Sequence, residues 1–370
     1  MSSTQLTVKP GDVIKNFIVK KKIGEGACGV VYLVCNQKDE KIRGAMKVEP
    51  VMKSRDDEIL KMEAHVMKRL QKSKHICKLY AGGKTSNFSF VIMSLLGKEL
   101  AELRRRMPDR KMPIGTALKV AFQCLEALQD MHVAGFIHRD VKPTNFACGY
   151  IQRHMIYIFD FGLARQIISV DRDGKKHLRD PRNKICFRGT VRYCSINVHQ
   201  YKEQGRHDDL ISYIFMLIEL VTATLPWKGK QRHEAGSIKE NIPDKELFKG
   251  CPPCFLEMYS SLRKLTYLDT PPHEKYIDLI KRDLKDNKVK LNDPFEWEDK
   301  DMDKDVPKKK KAKKQDEQAI IDKNNNENDA DTIKNIDESV LTEGEDPDSE
   351  QRGIAKEDTL DNISEMKKLN

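Results

Sequence analysis

The stretch HRDVKPTN (138–145) sets an aspartate, a lysine and an asparagine within six residues, at Asp140, Lys142 and Asn145. Each suits a different part of one reaction: a carboxylate accepts a proton from an attacking hydroxyl, an ammonium offsets the charge of a moving phosphoryl group, and an amide oxygen holds magnesium. A polar surface loop gives no reason for all three types at that spacing. Just before it, Ala117 to Met131 carries Leu118, Phe122, Leu125 and Leu128 on one stripe, which predicts a helix stopped by Gly135. Just after it, MIYIFDFG (155–162) reads as an apolar strand with Asp160 at its tip, where a second metal contact belongs.

Towards the N-terminus, FIVKKKI (17–23), GVVYLV (29–34), RGAMKVE (43–49) and FSFVIMSLL (88–96) are short and rich in β-branched and aromatic residues. They are predicted as antiparallel strands. Between Asp57 and Leu70, the residues Ile59, Leu60, Met62, Val66, Met67 and Leu70 recur at helical spacing. A small sheet-rich lobe with one helix therefore precedes a larger, mainly helical one, an α+β arrangement.

GEGACG (24–29) has the G-x-G-x-x-G spacing that lets backbone approach phosphates, but a strand follows it directly, whereas a dinucleotide site needs a helix there. Lys47 lies in an otherwise apolar strand, where a bare ammonium is costly to bury. Glu63, four residues from both Ile59 and Met67, faces inward and is its candidate partner. Taken alone, the two read as a structural ion pair.

Together GEGACG, GAMK (44–47), HRDVKPTN and DFG resemble the protein-kinase signature set across residues 14–299. The resemblance implies a two-lobed protein kinase fold that uses ATP and Mg²⁺. It implies that Ile23, Gly24, Glu25, Gly26, Ala27, Cys28, Gly29, Val30 and Val31 cover the nucleotide. Ala45 would line the same site, Lys47 would meet the α and β phosphates, and Glu63 would hold Lys47. Met93, Ser94 and Leu96 would join the lobes and meet adenine. Asp140 would be the base with Lys142 beside it, and Asn145 and Asp160 would hold Mg²⁺. A lysine two residues after the aspartate is the Ser/Thr-kinase form.

GTVRYCSIN (189–197), GRHDDL (205–210) and LPWKGK (225–230) resemble the casein kinase 1 group; LRRRM (103–107), HRDVKPTNF and FRGTVRY (187–193) resemble its tau-tubulin kinase branch. Where most kinases read A-P-E, this chain reads Cys194-Ser195-Ile196-Asn197, so other contacts must replace that glutamate's buried ion pair. The alternative from another class is a pseudokinase, a kinase-shaped scaffold, whose usual mark is loss of the lysine, the base or the metal aspartate. Lys47, Asp140, Asn145 and Asp160 are all in place.

The net charge of +10 hides an asymmetry: residues 315–370 hold 6 Lys or Arg against 17 Asp or Glu, leaving the rest strongly basic. Arg182, Arg188, Arg192, Lys228 and Lys230 lie in segments that, by the resemblance, border the peptide groove, so acidic or phosphorylated protein substrates are expected. The plain alternative is a solvated basic face. Ser169 is the only Ser or Thr between Leu163 and Arg188, so phosphorylation of that loop is not the expected switch.

Nine scattered cysteines and no apolar run after Met1 indicate a reducing, intracellular setting; Cys251 and Cys254 lack the second ligand pair of a metal motif. The apolar stretch 210–225 contains Ser212 and Glu219 and is shorter than the ~20 residues that cross a bilayer. Charge alone suggests nucleic acid, but no zinc-finger, RRM or KH signature accompanies it. A flexible 1–13, a kinase domain at 14–299, a disordered 300–370 and a monomer are expected. The lysine run at 308–314 resembles a nuclear-import signal, or equally a lipid-binding patch, and so cytoplasm and nucleus are the expected locations. In the tail, Thr332, Ser349 and Ser364 each follow an aspartate by three residues and are candidate phosphoacceptors.

Overall fold

A computed structural model describes residues 8–26, 29–51, 59–183 and 185–299. The chain divides into two compact units, one built on residues 8–65 and 78–95 together with 294–299, the other on 66–77 and 96–293. Ala27, Cys28, the predicted helix start at Asp57 and the whole acidic tail with its lysine run lie outside the described residues.

The first unit is an antiparallel sheet of β1 (Val13–Ile14), β2 (Phe17–Gly26), β3 (Gly29–Asn36), β4 (Arg43–Pro50), β5 (Leu79–Lys84) and β6 (Phe88–Ser94), with residues 59–65 of helix α1 (Ile59–Arg69), whose remainder belongs to the second unit. Its order is β1-β2-β3-β4-β6-β5. Alternation along the strands sends Val30, Tyr32 and Val34 of β3 and Met46 and Val48 of β4 into one apolar cluster with Phe17, Val19, Phe90 and Ile92. The opposite face is left to Val31, Lys47 and Val91, which stand side by side in the pairing register.

Two differences from the sequence expectation stand out here. Val8 is buried in the apolar cluster, and the Gly11 amide donates to the Val19 carbonyl, so the ordered fold begins before residue 14. Strand β5 was not expected, because Ala81-Gly82-Gly83 offers no β-branched residue; it forms because its backbone completes the ladder beside β6.

The second unit is mainly helical. Its principal helices are α2 (Leu100–Arg106), α3 (Ile114–Val133), α4 (Ile196–His199), α5 (Arg206–Thr222), α6 (Arg232–Asn241), α7 (Asp244–Leu247), α8 (Pro253–Leu262) and α9 (His273–Asp286). Helix α5 is buried on every side, as its apolar sequence demands, and is the post around which the unit packs. The Tyr213 hydroxyl ties it to α3 by donating to the Ala121 carbonyl at 2.8 Å.

Short strand pairs hold the loops that matter. β7 (Leu96–Glu99), β9 (Phe146–Gly149) and β10 (Ile156–Ile158) form one sheet; β8 (Phe136–Ile137) pairs with β11 (Arg165–Gln166), and β12 (Ile168–Val170) with β13 (Lys176–Leu178). The loop 138–145 is thus clamped between β8 and β9, and Asp160 follows β10. No described helix is long and apolar enough to cross a membrane.

Candidate active site

In the first unit, Lys47 and Glu63 meet at 2.5 Å, both largely buried, so the ammonium in the apolar strand has the counter-charge that burial requires. Sequence reasoning missed Glu49, which accepts the Leu60 amide at 2.9 Å and so ties β4 to the start of α1. Burial raises the Glu49 carboxyl above its ordinary range.

Gly29 has φ +110°, and a Cβ there would lie 2.1 Å from the Val48 carbonyl oxygen; no other residue lets β3 approach β4 so closely. Gly24 lies opposite Val31, and Ala45 opposite both Leu33 and Met93, so Gly24, Val31, Ala45, Lys47 and Met93 occupy adjoining rows of the sheet. Val30 turns the other way, into the apolar cluster, and so only its backbone belongs to the rows around Lys47. Ile23 is exposed, as are Glu25 and Gly26. The Ser94 amide donates to the Lys78 carbonyl at 2.8 Å. Leu96, in the second unit, pairs with Gly149.

In the second unit, a closed triangle forms around Asp140. Lys142 Nζ lies 2.7 Å from Asp140 Oδ2, the Thr190 hydroxyl donates to Asp140 Oδ1 at 2.7 Å, and Lys142 Nζ donates to Thr190 Oγ1 at 3.1 Å. Thr190 was not singled out from sequence; the glycine before it was the available signal. Gly189 has φ +119° and a Cβ on it would fall 2.8 Å from the Arg139 carbonyl oxygen, so the glycine lets this turn close on the loop.

The Asn145 amide nitrogen donates to the Asp140 carbonyl at 2.9 Å, which leaves the Asn145 oxygen as its remaining polar atom. Asp160 is half-buried with φ 65°, and Arg139 has the same φ; two non-glycine residues in the left-handed region mark strained backbone on either side of the site.

The scaffold beneath is polar and fully engaged. Buried Asp209 accepts the amides of His138 at 2.7 Å and Arg139 at 2.8 Å, and faces His132 Nε2 at 3.1 Å. Burial alone would raise its carboxyl, but the hydrogen bonds from His132 and from the His138 amide hold it below the ordinary range. The Asp140 amide donates to His138 Nδ1, so the other nitrogen, Nε2, carries the proton and donates to the Phe159 carbonyl at 3.3 Å. The Arg139 guanidinium donates to the Leu163 carbonyl at 2.7 Å.

The A-P-E departure also has its answer. Ser195 Oγ donates to Asp208 Oδ1 at 2.6 Å, Asn197 Nδ2 donates to the same oxygen at 3.0 Å, and the Gly205 amide donates to Oδ2 at 2.7 Å. Nearby, Glu219 accepts the Tyr193 hydroxyl and lies 3.6 Å from Arg192. Buried Asp208 is thus held by Ser195, Asn197 and the Gly205 amide, with His207 Nε2 3.3 Å from its Oδ2.

The basic residues expected at the groove are placed differently from one another. Arg182 forks onto buried Glu203 at 2.7 and 3.1 Å, and Lys230 pairs with Glu234 at 2.5 Å. Lys228 is exposed and Arg188 half-buried. Cys251 and Cys254 are free thiols that burial pushes up, and no group of three His, Cys, Asp or Glu suited to a metal gathers among the described residues.

Comparison with known proteins agrees with this fold. Residues 17–290 match the protein kinase domain. A probable serine/threonine-protein kinase of Dictyostelium discoideum is 37% identical over 78% of this chain, which spans 58% of that protein. A putative casein kinase I of Caenorhabditis elegans is 33% identical over 80% of this chain and 87% of its own length. An inactive tau-tubulin kinase of the same worm is 33% identical over 66% of this chain and 89% of its own. The chain belongs to the protein kinase domain family, among its serine/threonine kinases.

Proposed function

We propose that this chain transfers the γ-phosphoryl group of ATP to serine or threonine hydroxyls of acidic or already phosphorylated proteins, as a casein kinase 1-group enzyme of the tau-tubulin kinase branch. The observation that carries the reading is the Asp140–Lys142–Thr190 triangle. Asp140 takes the proton of the incoming hydroxyl as the oxygen attacks phosphorus, and Thr190 and Lys142 fix the direction of its two oxygens. Lys142 also stands beside the oxygens that gain charge as the phosphoryl group moves.

Lys47, oriented by Glu63, binds the α and β phosphates. The donor set fits a magnesium ion: the Asn145 oxygen and the Asp160 carboxylate are hard oxygen donors, and Mg²⁺ is ordinarily held by one or two such groups together with substrate phosphates. When bound, Mg²⁺ neutralises phosphate charge. The pseudokinase alternative is not favoured, because Lys47, Asp140, Asn145 and Asp160 are all in place.

Preference for acidic substrates is supported by the exposed Lys228 and by the basic character of the segments that carry Arg188 and Arg192, although Arg182, Arg192 and Lys230 are engaged by Glu203, Glu219 and Glu234. The lysine run 308–314 supports a nuclear as well as a cytoplasmic location.

The deciding experiment incubates the full chain with Mg-ATP and casein beside its Asp160→Ala form. Phosphate incorporation that the substitution abolishes is the expected result; equal signals from the two proteins overturn the proposal.

A further inference from the structure

Lys239 is a lysine that the reading above leaves unused. It sits on α6, is 2% exposed, and among the described residues hydrogen bonds to no carboxylate. Its ammonium donates to the Val191 carbonyl at 2.5 Å, the Cys194 carbonyl at 2.8 Å and His199 Nε2 at 3.1 Å, so all three N–H groups are used. The rings of Phe215 and Trp227 lie 5.5 and 5.3 Å from it. Burial lowers the ammonium to about 8 and, with the neighbouring Lys239 charge, lowers His199 to about 3, so His199 is the neutral acceptor this contact needs.

Burying a cation this way is costly, and a leucine would fill the space without that cost. What the lysine gains is a grip on one turn. Within Thr190–Cys194, the amides of Tyr193 and Cys194 both donate to the Thr190 carbonyl, at 2.9 and 3.0 Å. The Arg192 carbonyl accepts the Trp227 indole N–H at 2.7 Å. Lys239 takes the carbonyls of Val191 and Cys194. The turn is therefore held from outside at three carbonyls, and at its leading edge the Thr190 hydroxyl reaches Asp140.

We propose that Lys239 is a positioning residue for phosphoryl transfer, acting through the turn Thr190–Cys194 to keep the Thr190 hydroxyl on the Asp140 carboxylate. This rests on Asp140 being the base, and the test separates the two ideas. Lys239→Met keeps the aliphatic stem and removes the donors. In the full chain it is expected to lower kcat on casein about 10- to 100-fold, the loss that an ångström-sized misplacement brings. The KM for ATP should stay within about twofold, because Lys239 does not touch the residues read as phosphate ligands.

A merely structural lysine would not produce the second expected result. In a Thr190→Val background, where the hydroxyl is already gone, Lys239→Met should change kcat by less than about twofold. Rates are counted per nucleotide-competent molecule, measured by ATP-induced thermal shift. If Lys239→Met gives no such shift, Lys239→Gln, which retains two donors, is judged by the same two criteria. An unchanged kcat, or losses that multiply independently with Thr190→Val, overturns the proposal. An Asp140→Asn form with wild-type kcat overturns the base assignment instead.

Discussion

Replacing one oxygen of Asp140 by nitrogen removes its capacity to take a proton and leaves the shape of the loop intact. Asp140→Asn is expected to lower kcat by about 10²- to 10⁴-fold with the KM for ATP unchanged, as steady-state assays on casein would show. Lys47 and Glu63 meet at 2.5 Å and are expected to act as one unit. Lys47→Met and Glu63→Gln should each damage turnover, and the double variant should lose much less than the product of the two, because the second change removes a partner already without its function. Independent losses in that cycle would mean the contact contributes nothing to catalysis. These residues were legible in the sequence because each breaks a local rule, a charge in an apolar strand or three polar types crowded into one loop. Thr190 broke none: a threonine after a glycine is ordinary until the fold brings it to a carboxylate fifty residues earlier.

The loop 138–145 is held from below by helix α5, through Asp209 and its two backbone amides. The folded Asp209 carboxyl sits below the ordinary aspartate range, so the folded chain binds fewer protons there than the unfolded chain. The stabilisation is complete at neutral pH and is lost as pH falls from about 4 through the folded value. Asp209→Asn should destabilise the chain by about 1–3 kcal/mol at pH 7, the cost of a buried donor left without an acceptor. Denaturant titrations should find this gap narrowing as pH drops towards the acid limit; a constant gap would exclude ionisation as its source. Helix α3 was legible from its apolar period and five strands (β2, β3, β4, β6 and β10) from short runs of β-branched, aromatic or apolar residues, since burial selects those side chains in each element. β5 was not, because a glycine-rich strand is recruited by the ladder beside it rather than by its own side chains. The role of Arg182 was equally hidden, since nothing in its own segment announces Glu203.

Across the chain as a whole, a ligand that binds only the folded form adds to its stability. ATP with Mg²⁺ at a hundred times its dissociation constant should contribute about 2.7 kcal/mol, read as a rise in Tm. In Asp160→Ala the magnesium-dependent part of that rise should vanish while any magnesium-independent part persists. Equal magnesium dependence in both proteins would remove Asp160 from the proposed metal site. The excess positive charge before residue 315 predicts a further asymmetry: the KM for an acidic substrate should climb with ionic strength and that for a neutral one should not.

Glu203 is buried and held below the ordinary range, against the cost of its burial, by hydrogen bonds from Arg182. A phosphate ester gripped by an arginine comes and goes with the enzymes that write and erase it. This carboxylate is translated with the chain, no phosphatase removes it, and every molecule carries the contact from the moment it folds.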